Sequence, residues 1–179
     1  ADALAQLPAE TPQQYNQVIA DLVTTGEEGL LELISKMNPP GNQSNETIEF
    51  AITGWTHYTA TDNAAREATA NAFEKALAQP LHNEIKAYVI RQLRTIATND
   101  NVAALALLLT DDYLVSPAAA ALVSIGTDNA SQALLDALQE SRSNATKMHL
   151  INAIGQTNYR PAEPVLLDIL KQNPSGEMK

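Results

Sequence analysis

The side chains of this chain that could do chemistry are few and scattered. His57, His82 and His149 are its three histidines, and none has a second His or Cys at a spacing that closes around a metal ion. Two pairs of adjacent acids, Glu27-Glu28 and Asp111-Asp112, could divide the work of a general acid and a general base. Each pair falls at a helix boundary, where capping and the helix dipole already explain it. Ser116 precedes Pro117 at a helix start and reads as a cap rather than a nucleophile. There is no Gly-x-Ser-x-Gly turn and no glycine loop of the kind that cradles phosphate. The absence of cysteine removes thiolate chemistry and any disulfide framework. The expectation is a region with no catalytic residue, no metal ligand and no cofactor, and therefore not an enzyme.

Contact chemistry is better represented. Trp55, His57 and Tyr58 crowd the end of one helix, and flat rings with a polar edge can anchor a peptide or stack on a sugar. The competing expectation is structural: Trp55 follows Ile48 and Ile52 on one apolar stripe and fills a gap between helices, with Tyr58 covering it. Glu27, Glu28 and Glu32 would draw basic groups to the first repeat. Ser131, Gln132 and Asp136 are further candidates for a partner surface. Asn42, Asn45, Asn129 and Asn144 each open an Asn-x-Ser/Thr triplet; the last two begin helices, where capping accounts for them.

The elements that would position these groups recur. Leu93, Ile96 and Ala97 return 29 residues later as Leu122, Ile125 and Gly126, and again as Ile151, Ile154 and Gly155. Each copy ends an apolar helix face with a small residue and a polar turn that opens another helix, the sign of a stacked helical array. Caps and breakers extend the pattern in both directions. Thr11-Pro12 starts a helix with Val18, Ile19 and Leu22 on one face; Gly26 ends it; a second helix buries Leu30, Leu31, Ile34 and Met37. Pro39-Pro40-Gly41 breaks the chain, and Asp62 caps a long alanine-rich helix that Pro80 stops.

The expected organisation is an all-α, right-handed superhelix of five antiparallel hairpins, at 11–38, 45–78, 82–110, 113–141 and 143–172. A partly ordered leader covers 1–10, and 173–179 is a frayed tail or linker. The inner helices, at 27–38, 62–78, 100–110, 128–141 and 160–172, would line a concave face for a protein or peptide.

Composition agrees. The 179 residues are 45% apolar but only 4% aromatic, with 29 alanines, which suits closely packed helices and leaves little sheet to expect. Net charge is −10, and residues 1 to 50 hold eight acids against the single base Lys36. Such a surface opposes phosphate backbones, so nucleic acid is excluded as a partner. No apolar run approaches a membrane span. Six lysines beside 14 Asn, 11 Gln and 15 Thr lean towards an exported protein, and the start at Ala1 towards a processed or cropped chain.

The Leu-x-x-Ile-(Ala/Gly) copies at 93–97, 122–126 and 151–155 resemble short HEAT-type (armadillo-like) repeats, most closely over residues 82 to 172. That resemblance implies a fold and is nearly silent about activity. Leu4-Ala-Gln-Leu-Pro8-Ala, Thr25-Gly26-Glu27-Glu28-Gly29, Ile85-Lys86-Ala87 and Ile90-Arg91-Gln92-Leu93 are similar to the N-terminal helical region of exported Bacteroidetes proteins that carry a downstream 3-keto-disaccharide hydrolase-like domain. It implies a periplasmic or outer-membrane-associated location and a natural chain continuing past Lys179 into that domain, whose catalytic residues would lie downstream of every position here. Two functional expectations follow: a non-catalytic scaffold for a protein or peptide partner, or an accessory domain that positions an attached C-terminal enzyme or contacts its glycan through Trp55, His57 and Tyr58.

Overall fold

The computed structural model describes residues 3–172, so the tail expected at 173–179 lies outside the described residues. Among those residues the regular structure is helical throughout, with no strand, and no helix is long and apolar enough to cross a membrane. The chain divides into two compact units, one ending at Ile96 and the other beginning at Ala97.

The first unit holds α1 (Pro12–Val23), α2 (Gly26–Ser35), α3 (Glu46–Thr59), α4 (Asn63–Leu77) and α5 (Asn83–Ile96), after a 3-10 turn at Ala3–Gln6 within the expected leader. Local chemistry sets their starts. The Gln14 amide donates to Thr11 Oγ1 at 3.1 Å with Pro12 in the first turn, and the Ala65 amide donates to Asp62 Oδ1 at 2.8 Å, so α1 and α4 are capped where the sequence indicates. Gly26 adopts φ +67°, the left-handed conformation open to glycine at little cost, and turns the chain directly into α2. That helix buries Leu30, Leu33 and Ile34, with buried Met37 just beyond it. Leu33 therefore replaces the expected Leu31, which is half-buried: positions 30, 33, 34 and 37 share one helical stripe, and Leu31 sits beside it.

Asn45 does not cap α3 through its side chain. Its Oδ1 accepts from the Asn38 amide at 2.7 Å and its Nδ2 donates to the Asn38 carbonyl at 2.8 Å, which closes the Pro39-Pro40-Gly41 loop at its neck. Helices pack on their neighbours and next-neighbours in the chain: α1 on α2 and α3, α2 on α3 and α4, α3 on α4 and α5, α4 on α5. The odd helices thus form one layer and α2 and α4 the other, around a core that includes Ile19, Leu30, Ile34, Ile52, Phe73, Ile90 and Leu93. Between α1 and α3 the approach is close because residue 54 is glycine; a Cβ there would fall 2.7 Å from Ile19 Cδ1.

The second unit holds α6 (Val102–Ala106), flanked by 3-10 turns at Asn99–Asn101 and Leu107–Thr110, then α7 (Val115–Ile125), α8 (Asp128–Glu140), α9 (Asn144–Ile154), a 3-10 turn at Arg160–Ala162 and α10 (Glu163–Gln172). The expected helix at 100–110 is here three short pieces. Tight 3-10 geometry is usual at helix ends, and an α segment of five residues between two such ends has no interior to hold it in register. It still buries Val102, Leu105 and Leu109 while Leu107 stands 78% exposed. The same neighbour and next-neighbour packing recurs, with α6 on α7 and α8, α7 on α8 and α9, and α8 on α9.

The three sequence copies do not share one turn. Gly126 caps α7 at φ +69°, whereas Gly155 stays right-handed at φ −58°. The positive φ after α9 falls instead on Asn158, at 54°, the non-glycine type that tolerates it best. The helix caps are also set one or two residues before the expected asparagines: the Ala130 amide donates to Thr127 Oγ1 and the Thr146 amide to Ser143 Oγ, not to Asn129 or Asn144. In α10, Val165, Leu166 and Ile169 are half-buried and Leu170 is exposed, so the expected inward face is only partly covered.

Candidate functional site

The aromatic cluster separates on folding. Trp55 is only 3% exposed, and its indole N–H donates to Thr69 Oγ1 on α4 at 3.2 Å. A buried Trp needs such a partner, and Thr69 provides it because α3 and α4 pack directly. Two and three residues further along α3, His57 and Tyr58 face solvent, Tyr58 at 52% exposure. At 100° per residue His57 lies about 160° from Trp55, across the helix, while Tyr58 lies about 60° away; with the indole buried, only His57 and Tyr58 present ring surface to solvent.

The acidic candidates of the first unit are distributed over α2. Glu27 receives Lys75 Nζ at 2.6 Å on each carboxylate oxygen, bridging α2 to α4. Glu32 pairs with Lys36 one turn later at 2.6 Å, and that ammonium holds its carboxyl below the usual carboxylate range. Glu28 is exposed. In the second unit, Ser131 is 5% exposed and its hydroxyl donates to the Thr127 carbonyl, which ties it into the start of α8. Gln132 Nε2 donates to Asp136 Oδ1 at 2.6 Å, and the Tyr159 hydroxyl donates to Gln132 Oε1 at 2.7 Å. The two remaining candidates of that unit therefore form one chain of hydrogen bonds ending on Tyr159.

The paired acids Asp111 and Asp112 point to different work. Asp111 Oδ1 accepts from the Tyr113 and Leu114 amides, a cap. Asp112 Oδ1 accepts from the buried Thr146 hydroxyl at 2.6 Å, and the Thr146 and Ser143 hydroxyls keep its carboxyl below the usual range. His82 Nδ1 accepts from the Glu84 amide at the start of α5. Among the described residues no group of His, Asp and Glu could hold a metal ion.

Two clefts in the first unit are places where a ligand could sit. One, of about 180 Å3, is bounded by the Pro39-Pro40 loop, Gln43, Glu49, Tyr88 and Arg91. Behind it runs a relay that nothing in the sequence singled out. The Tyr88 hydroxyl donates to the Glu49 carbonyl at 2.9 Å, so at the 3.2 Å contact with Thr53 it must accept, and Thr53 in turn accepts from Gln92 Nε2 at 3.2 Å. Burial pushes the Tyr88 phenol up to about 12, and the direction of donation follows from the Glu49 carbonyl, which can only accept. The relay ties α3 to α5, and the 35-residue spacing of Thr53 and Tyr88 is too long for a local pattern to reveal. The other cleft, of about 150 Å3, lies among α2, α3 and α4 and is mainly apolar, with Leu30, Trp55, Ala65, Ala68 and Ala72 in its walls and Glu27 and Thr69 as polar members.

No family model, curated protein or solved structure matches this chain. Its class therefore rests on its own geometry, which among the described residues is that of an all-helical protein.

Proposed function

We propose that this chain is a non-catalytic interaction module, a HEAT-like solenoid whose exposed helix faces hold a protein or peptide partner. The observation that carries the reading is the helix pairing. Within each unit the extensively packed pairs of α-helices are neighbours or next-neighbours in sequence, the quasi-one-dimensional arrangement of repeat arrays, which generate contact surface from scaffold alone. The dispersal of the ionisable groups supports it as well: Glu27, Glu32, Asp62, Asp111 and Asp112 are engaged as caps or pairs, each with its own partner.

The partner is basic. Eight acids stand against one base in the first 50 residues, and a field of that sign steers cationic segments and repels polyanions. The test is affinity capture with the isolated chain, repeated with a Glu28→Lys/Glu32→Lys variant, both positions being exposed. The reading requires a captured protein that the charge-reversed chain loses and that salt weakens. A chain that retains nothing, or whose capture ignores the reversal, overturns it.

A further inference from the structure

We propose that the apolar cleft among α2, α3 and α4 is a binding site for one uncharged, benzene-sized ring bearing a single hydrogen-bond acceptor. Its size sets the first part of this assignment. An apolar cavity of about 150 Å3 takes one benzene ring, and the cleft has that volume. The volume exists because α4 presents Ala65, Ala68 and Ala72 and α2 begins with Gly26, small residues that share the lining with Trp55. Larger side chains at those alanines would close it.

The acceptor follows from Thr69. This hydroxyl is 4% exposed and lines the cleft. Its oxygen accepts the Trp55 indole proton, and its own proton has no acceptor among the described residues, although a buried hydroxyl normally donates as well as accepts. An ether, carbonyl or phenolic oxygen on the ring would complete it. The polar rim excludes charge. Glu27 is the one ionisable group in the wall and Lys75 already neutralises it through both carboxylate oxygens, so an ion of either sign driven into the apolar cleft would lose its hydration with no free partner in return.

Trp55 is the only tryptophan of the chain, so its emission reports occupancy directly. Occupancy by a ring needs no macromolecular partner, and its outcome is separate from that of the capture experiment above. The experiment titrates the whole chain with anisole, toluene and benzoate under excitation at the red edge of indole absorption. Anisole is expected to give a saturable change with a midpoint of about 1 mM, within reach of a small ring. Toluene, lacking the acceptor, binds about three- to tenfold more weakly, the worth of one hydrogen bond, and benzoate gives no saturable change.

Ala68→Leu fills the cleft from an exposed position and should raise the anisole midpoint at least about tenfold. If circular dichroism shows that variant misfolded, Ala65→Leu replaces it. A linear, non-saturating response to anisole overturns the site. So does a midpoint that the filled variant leaves unchanged, and so does benzoate binding on a par with anisole; toluene binding as tightly as anisole overturns the role of Thr69.

Discussion

Gly54→Ala sets two effects of opposite sign against each other at one buried position. In the interior of a 14-residue helix, replacing glycine by alanine favours folding by about 1 kcal/mol through backbone entropy. The new methyl, however, would lie 2.7 Å from Ile19 Cδ1 and 2.9 Å from Ile19 Cγ1, and closer still to the Tyr15 hydroxyl. Carbon atoms settle at about 3.5–4.0 Å, so α1 and α3 must part or the side chains must leave their wells. Tyr15 is half-buried and can swing outward, but Ile19 is 2% exposed and has nowhere to go. Overpacking of this kind costs about 1–3 kcal/mol, and the net expectation is a loss of about 1 kcal/mol after the gain in helix propensity.

Urea unfolding followed by Trp55 emission measures it in the right unit, since the indole sits one residue away and nowhere else in the chain. Ile19→Val removes the nearer carbon, so the double variant should be less destabilised than the sum of the singles by about 0.5 kcal/mol or more, the scale of coupling between residues in contact. A Gly54→Ala protein as stable as the parent, or effects that simply add, would refute the claim that this glycine sets the distance between the two helices.

The other predictions concern turns and caps. Gly126→Ala should cost about 1–2 kcal/mol because its φ of +69° is strained for any residue with a Cβ; Gly155→Ala, at φ −58° and with its nearest neighbour at 3.4 Å, should leave stability unchanged or slightly raised, as thermal unfolding of the two variants will show. Asn45→Ala removes both hydrogen bonds at the neck of the 38–45 loop and should cost about 1–2 kcal/mol in chemical denaturation. For Asp112, hydroxyl donors hold the folded carboxyl below its unfolded value, so its contribution is complete above about pH 4 and fades as pH falls through the lower folded pKa. The stability gap between the parent and Thr146→Val should therefore be open at neutral pH and narrow in acid, and a gap that stays constant from pH 7 to about pH 3 would contradict that coupling.

Much of the fold was legible because helix signals are local. Thr11, Asp62 and the stripe of Val18, Ile19 and Leu22 each declare themselves within four residues, and the structure places them as the pattern requires. Legibility failed where a residue had two uses. Asn45 could cap a helix or close a loop, and only the proximity of Asn38 decides for the loop. Ser131 stood beside Gln132 and Asp136 as a candidate for a partner surface, yet the register of α8 turns it inward. Trp55, His57 and Tyr58 lie within four residues of sequence, yet the indole is buried while the other two rings face solvent. The two clefts were invisible for another reason: each is assembled from segments dozens of residues apart, and what defines the apolar one is missing bulk at alanines, which leaves no signature of its own in a chain so rich in them.

Asn99 Oδ1 accepts from the Thr127 hydroxyl at 2.8 Å and from Asn129 Nδ2 at 3.3 Å, so the turn that precedes α6 grips the one that precedes α8. This grip acts as a length gauge. An inserted residue in α7 could be absorbed by a bulge or a frayed end as far as the oily stripe is concerned, but it would carry Thr127 and Asn129 out of reach of a side chain as short as asparagine. Drift in the length of this hairpin should thus be checked at its rim before its core registers any change.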